Sequence, residues 1–401
     1  MTKRRILFFA EAVTLAHLAR PMALAKGLDQ ASFEAYVACD ARYDRFLQAE
    51  ATNPLPLHSI GSVQFLKALQ SGSPVYDLPT LRRYVKEDLA LIEQVRPDFI
   101  VGDFRLSLSV SARLAQIPYA AITNAYWSPY YRYRSFPLPV LPMTRRLPLP
   151  LAAGLFRIGR RFVFPRHCNP LNRLRHENGL STLGNDLRRI YTEADFTLYA
   201  DDPLLFPTDG APASHHHIGP VMWSPPVPVP TSWQDIDATK PTIYLTLGSS
   251  GAADVAQRVL QAVGELDLNI IVASAGAALP AVVRARTFVS DYVPGEAAAA
   301  RAQLVICNGG SPTSQQALAA GVPVLGIASN MDQFLNMDGL VRAAIGRMLR
   351  GDRVEAAAVK KIVSEMLGDP VLYLKSRQVA SAVIENDNKH DFERLLSQLL
   401  T

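Results

Sequence analysis

Short apolar runs alternate with stretches of helical spacing along most of this chain. Arg5 to Ala10 is apolar and rich in β-type residues, so it predicts a first strand. Leu18 to Leu28 carries apolar residues at helical intervals and predicts the first helix. Phe99 to Val101 and Ile117 to Ile122 read as two further strands, and Glu193 to Tyr199 as another. After a proline-rich stretch the pattern restarts. Pro241 to Leu247 reads as a strand, Ala252 to Leu266 as a helix, and Asn269 to Ala273 and Thr287 to Val293 as strands. Leu304 to Ile306 is a short buried strand followed by a helix from Ser311. Gly321-Val322-Pro323 ends that helix and starts the next strand. Val354 to Leu367 is helical, and Leu372 to Leu400 makes one or two helices. This is the pattern of α/β domains.

Length and composition narrow the possibilities. A chain of 401 residues suggests two or three domains, and 49% apolar residues suffice for sizeable cores. Pro225, Pro226, Pro228 and Pro230 form a stiff linker, which places a boundary near them. A formal charge of +5 is too modest to suggest nucleic-acid binding, and no recognised motif accompanies it. Cys39, Cys168 and Cys307 are far apart, as expected for free thiols in the cytoplasm. The basic N-terminus has an apolar run that stops at Glu11, too short for a signal peptide. No apolar run is long enough to span a bilayer. His215-His216-His217 cannot all face one ion and read as loop residues. Asp235-Ile236-Asp237 spells an Asp-x-Asp pair but falls in the polar linker.

The turn after Leu304–Ile306 carries the most chemistry. Gly309 and Gly310 permit a sharp bend and close approach of a ligand. Ser311 suits the N-cap and Pro312 the first helical turn. The free amides and the helix dipole would then converge on one spot, where a phosphate fits best. At the end of the next strand stand Asn330, Met331, Asp332, Gln333 and then Asn336, whose polar groups could hold sugar hydroxyls.

This segment, with Asn308-Gly309-Gly310, Ser311, Thr313, Gln316-Ala317-Leu318, Gly321-Val322-Pro323 and Asp332-Gln333, resembles the donor-binding signature of family 1 GT-B nucleotide-sugar glycosyltransferases. The resemblance spans about 30 residues. Asn308 stands where that family usually has a pyrophosphate-binding His, Pro312 replaces a Gly, and Gln316 replaces a Glu. Two Rossmann-like domains facing across a cleft are implied. Residues 1–222 would bind the acceptor, residues 223–374 the nucleotide sugar, and residues 375–401 would cross back to the first domain. The Thr246-Leu247-Gly248-Ser249 turn and the Val293-Pro294 loop also match family features, with Ser249 near the donor phosphates and Val293 near the base.

His17, at the start of the first helix, is either a polar helix-start residue or, as the resemblance implies, the general base that deprotonates the acceptor. Asp103 either caps the following helix or holds and stabilises the His17 imidazolium. Asn124, Tyr126 and Trp127 would line the acceptor side. The implied reaction is an inverting transfer, without metal or cofactor, from a UDP- or dTDP-type sugar to a hydroxyl of a small, apolar or lipid-like acceptor. A nucleotide-sugar epimerase and a non-catalytic nucleotide-binding partner protein are the alternatives.

Between Asp103 and Glu177 there is no acidic residue but a dozen arginines, interleaved with aromatic and aliphatic residues. Leu149 to Phe164 within it predicts a basic amphipathic helix. The Arg-rich segment 132–166 could rest at the inner face of a membrane, contact an anionic acceptor, or pack on its own domain.

Overall fold

A computed structural model describes residues 3–47, 52–247, 253–276, 286–385 and 389–400. Two compact units emerge. The first comprises Met1–Ser135, Leu141–Trp223 and Asp387–Thr401, and the second Phe136–Val140 and Ser224–Asn386.

The first unit is built on a parallel seven-stranded sheet. Its strands are β1 (Arg4–Ala10), β2 (Phe33–Cys39), β3 (Asn53–Pro56), β4 (Phe99–Asp103), β5 (Tyr119–Thr123), β6 (Phe196–Tyr199) and β7 (His215–His217). They lie in the order β3-β2-β1-β4-β5-β6-β7. β1 pairs with β4 so that Ala10 stands opposite Asp103. Ile6 to Phe9, Ile100 and Val101 are fully buried, because helices cover both faces of such a sheet. Gly102 lets Leu108 pack closely on β4, where a Cβ would lie 2.3 Å from Leu108 Cδ1.

The second unit holds β8 (Thr242–Thr246), β9 (Asn269–Ala273), β10 (Thr287–Ser290), β11 (Leu304–Cys307), β12 (Val324–Ala328) and β13 (Gly346–Arg350). All are parallel, in the order β10-β9-β8-β11-β12-β13. Each sheet thus reverses its strand order once, between β1 and β4 in one and between β8 and β11 in the other. Ligands of open α/β sheets bind at the carboxyl ends of the strands at this point.

Several expectations need correction. His215–His217 are not loop residues but the edge strand β7, paired with β6 through Thr197↔His215. Edge strands expose one margin and so need no apolar signature. The same holds for β3, with its two prolines, and for the arginine-bearing β13; neither declares itself by pattern. The basic helix does not end at Phe164. It runs from Leu149 to Glu177 through Pro165 and Pro170. The helix after β11 spans Ser311–Ala319, and its N-cap is Gly310, not Ser311. Among the described residues no helix is long and apolar enough to cross a membrane.

Candidate active site

The exits of β1 and β4 bring the first group of residues together. His17 is the second residue of the helix Ala16–Lys26, and Asp103 is the last of β4. His17 Nδ1 lies 2.8 Å from Asp103 Oδ1. An ionised carboxylate only accepts, so Nδ1 carries the proton and Nε2 keeps its lone pair. Arg20 Nη2 also comes within 3.4 Å of Nδ1. A protonated Nδ1 offers it no acceptor, so both donors converge on Asp103. The His17 ring stacks on Phe104, with centroids 4.8 Å apart and planes 14° from parallel. Phe104 has φ +58, in the left-handed region that an aromatic residue seldom adopts. Such a backbone costs on the order of 1–3 kcal/mol and is held by its surroundings.

Asp103 is fully buried and has a second partner. Arg20 Nε donates to its Oδ2 at 2.7 Å and Arg20 Nη2 to its Oδ1 at 2.8 Å. Burial opposes the Arg20 charge, but Asp103 more than offsets this and holds the guanidinium pKa above its ordinary value. Arg20 Nη1 donates to Asn124 Oδ1 at 2.8 Å, and Asn124 Nδ2 to Asp201 Oδ1 at 2.8 Å. A buried chain therefore runs from His17 through Asp103, Arg20 and Asn124 to Asp201, joining the exits of β1, β4, β5 and β6. Asn124 is engaged within this chain, and Tyr126 is fully buried beside Phe206. Of the three residues expected to line the acceptor side, Trp127 joins the aromatic group next to His17. It packs edge-on against Tyr191, which in turn contacts Phe104. The buried Phe65 and Tyr76 pack against Phe104 from the core side.

A second buried network braces the same strand ends. Arg105 donates from Nη1 to Glu11 Oε2 at 2.9 Å and from Nε to Asp88 Oδ1 at 3.0 Å. Its guanidinium lies 3.4 Å over the Tyr84 ring, and the Tyr84 hydroxyl donates to Glu11. Burial raises the pKa of Glu11 and Asp88 despite the shared cation. These groups are sealed from solvent and position the Phe104 turn.

The second group surrounds the exit of β11, beside β8 through Cys307↔Thr246. Asn308 Oδ1 accepts from Gly310 N at 2.9 Å, which closes the turn. Gly309 has φ +80, and a Cβ there would lie 2.7 Å from Met337 Cγ. Asn336 Nδ2 donates to the Gly309 carbonyl at 2.8 Å and to Ser314 Oγ at 2.9 Å. Asn336 is therefore a brace of the turn, engaged away from a sugar. Ser311 and Thr313 lie in the first turn of this helix, and Pro312 between them has no N–H. Gln316 is buried and donates to Ser224 Oγ at 3.2 Å. Its amide packs where a Cβ on Gly295 would sit, 2.4 Å from Oε1, just after the buried Val293. At the exit of β12, Gln333 Oε1 accepts from Ser329 N at 2.8 Å, and Asn330 Oδ1 accepts from Gln333 N at 3.0 Å. This capping box opens the helix Met331–Arg342 and places the half-buried Asp332 in its first turn. Ser249 lies outside the described residues.

Sequence reasoning missed Phe104 as the ring under His17, Asp201, Ser224 and Gly295. Arg20 was discoverable, because three residues along a helix from His17 is the same face. Asp201 gave no local signal.

Residues 257–391 match the family model for the erythromycin biosynthesis protein CIII-like C-terminal domain. The chain is 48% identical over 380 residues to a PGL/p-HBAD biosynthesis glycosyltransferase of Mycobacterium tuberculosis, covering 95% of this chain and 89% of that one. It is 49% identical over 370 residues to a PGL/p-HBAD biosynthesis rhamnosyltransferase of Mycobacterium bovis, covering 91% and 81%. Among solved structures, the spinosyn forosaminyltransferase SpnP matches the whole of both chains with a TM-score of 0.72 at 17% identity.

Proposed function

Because the chain belongs to the GT-B glycosyltransferase family of the PGL/p-HBAD biosynthesis enzymes, we propose that it performs an inverting sugar transfer with His17 as the base. It is a nucleotide-sugar glycosyltransferase, and the rhamnosyltransferase relative supports a 6-deoxyhexose as the sugar moved. The donor is of the dTDP or UDP type. His17 Nε2 takes the proton of the acceptor hydroxyl as that oxygen attacks the anomeric carbon. Asp103 fixes the productive tautomer and stabilises the imidazolium. The leaving diphosphate meets the amides of Ser311 and Thr313 and the positive end of their helix, which neutralise its charge without a metal ion. Asp332 lies at the adjacent strand exit and binds sugar hydroxyls, while Gln333 sets the helix that presents it. Val293 and Gln316 flank the nucleoside.

The acceptor rests against the half-buried rings of Phe104, Trp127 and Tyr191. This wall suits an aromatic or lipid-like molecule better than a sugar polymer, since its contacts are apolar rings.

The observation that carries this reading is the 2.8 Å His17–Asp103 contact at the point where the sheet reverses. General base catalysis contributes about 10²–10⁴-fold. His17→Ala should lose turnover by that factor while calorimetry still records nucleoside diphosphate binding. Activity of the wild type should survive a chelator. Unchanged turnover in His17→Ala would refute the assignment.

A further inference from the structure

The helix Leu149–Glu177 is anchored only along part of its surface. Cys168, Leu171 and Leu174 are buried in the core of the first unit, together with Ala152 near its start. On the other side Leu151, Leu155, Ile158 and Phe162 are exposed at 52%, 47%, 61% and 70%. Their spacing of four, three and four residues puts them within one narrow stripe of an α-helix, about 16 Å long. Four consecutive large apolar side chains on one exposed stripe are a contiguous patch rather than scattered surface hydrophobes.

The charge around the stripe has one sign. Arg157 and Arg161 lie along its flank and Arg166 at its end, while Arg145 and Arg146 precede the helix; all five are exposed. None of the five forms an ion pair among the described residues. Other arginines of this interval are neutralised internally, Arg105 by Glu11 and Asp88 and Arg132 by Asp209. The stripe is therefore apolar at its centre, uncompensated and cationic at its margin, and without any acid between Asp103 and Glu177.

We propose that the stripe Leu151–Phe162 docks this protein onto an anionic lipid surface, with its apolar side chains at the headgroup boundary and Arg145, Arg146, Arg157, Arg161 and Arg166 against lipid phosphates. The helix lies in the plane of the interface and does not cross it. A second copy of the chain would bring the same five cations against one another, which disfavours a symmetric dimer through this face. The inference stands apart from the glycosyl-transfer chemistry, because it uses none of those residues.

The test is sedimentation of the full-length protein with vesicles. Wild type should pellet with mixed phosphatidylserine and phosphatidylcholine vesicles at low salt and much less with phosphatidylcholine alone. Each surface arginine contributes roughly a fivefold factor in partitioning, so R157Q/R161Q should weaken binding by about twenty-five-fold. I158D/F162D should abolish it, with unchanged circular dichroism and unchanged nucleoside diphosphate binding. Absence of binding to the anionic vesicles, or equal binding by wild type and both variants, would overturn the proposal. So would a concentration-dependent dimer of wild type that I158D/F162D converts to monomer, since the face would then belong to a second copy.

Discussion

Replacing Asp103 by Asn separates the two roles that the geometry gives this carboxylate. The wild-type group is fully buried and accepts from His17 Nδ1 at 2.8 Å, from Arg20 Nε at 2.7 Å and from Arg20 Nη2 at 2.8 Å. An amide of the same shape keeps one acceptor oxygen and presents an N–H₂ in place of the other. Arg20 then meets a donor in either orientation of the amide, and in one of them His17 does too. For folding, the loss is that of a buried ion pair with one charge left behind, about 3–5 kcal/mol. That is a large share of the typical total of about 5–15 kcal/mol, so the variant should fold with a clearly lowered urea midpoint. For catalysis, in the mechanism proposed above, His17 loses the group that would fix its tautomer and support its positive charge. Turnover at saturating substrate should fall about 10²–10⁴-fold at full occupancy of the folded state. On the proposal that His17 and Asp103 act as one unit, His17→Ala/Asp103→Asn should be no slower than the slower single variant. Circular dichroism and nucleotide calorimetry fix the folded fraction, and single-turnover kinetics gives the rate. A folded Asp103→Asn enzyme within tenfold of wild type would refute the reasoning. So would a double variant whose loss is the product of the two single losses.

Three further expectations follow from the same contacts. Gly309→Ala places a Cβ 2.7 Å from Met337 Cγ at φ +80, so it should cost about 1–3 kcal/mol in chemical denaturation and weaken nucleoside diphosphate binding in calorimetry; an unchanged affinity would detach the turn from the donor. Asn336→Ala leaves the Gly309 carbonyl without its side-chain donor and should lower stability by about 1–3 kcal/mol, with a parallel loss of nucleotide affinity. Burial lowers the pKa of His215, His216 and His217, so the unfolded chain takes up protons more readily than the fold. Their contribution to stability is complete above the unfolded value of about 6.5 and is lost as pH falls through the folded values. Thermal melting should therefore weaken as pH drops below about 6.5, and histidine NMR titration should place all three midpoints below that of an exposed histidine.

The parts that sequence exposed are those whose cause is local. Leu304–Cys307 followed by two glycines and a proline announces strand, turn and helix, because burial, positive φ and the missing proline N–H each act within a few residues. His17 was visible as a polar residue at a helix start and Asp103 as an acid at the end of an apolar run. The details that escaped are set by distant partners. Asn124 looked like a residue facing a ligand, but Asp201, 77 positions away, and Arg20 claim its amide. Asp332 and Gln333 looked equivalent, yet the second caps its own helix through Asn330. Gly310 displaced Ser311 as N-cap because the Asn308 side chain already closes the turn onto the Gly310 amide. β7 escaped because an edge strand of three histidines has no apolar alternation. The Leu149–Glu177 helix runs on past Phe164 because burial of Cys168, Leu171 and Leu174 carries it through Pro165 and Pro170.

The most direct measurement of the central claim is proton NMR of the transfer itself. Wild type and His17→Ala would be incubated with dTDP-rhamnose and with UDP-glucose, each beside a panel of phenolic and long-chain alcohol acceptors, while the anomeric signals are followed. With wild type, a new anomeric signal of inverted configuration should grow as the donor signal declines. With His17→Ala, which still binds the nucleoside diphosphate, it should be absent or slower by about 10²–10⁴-fold. A product of retained configuration, or equal rates in the two proteins, would contradict the account.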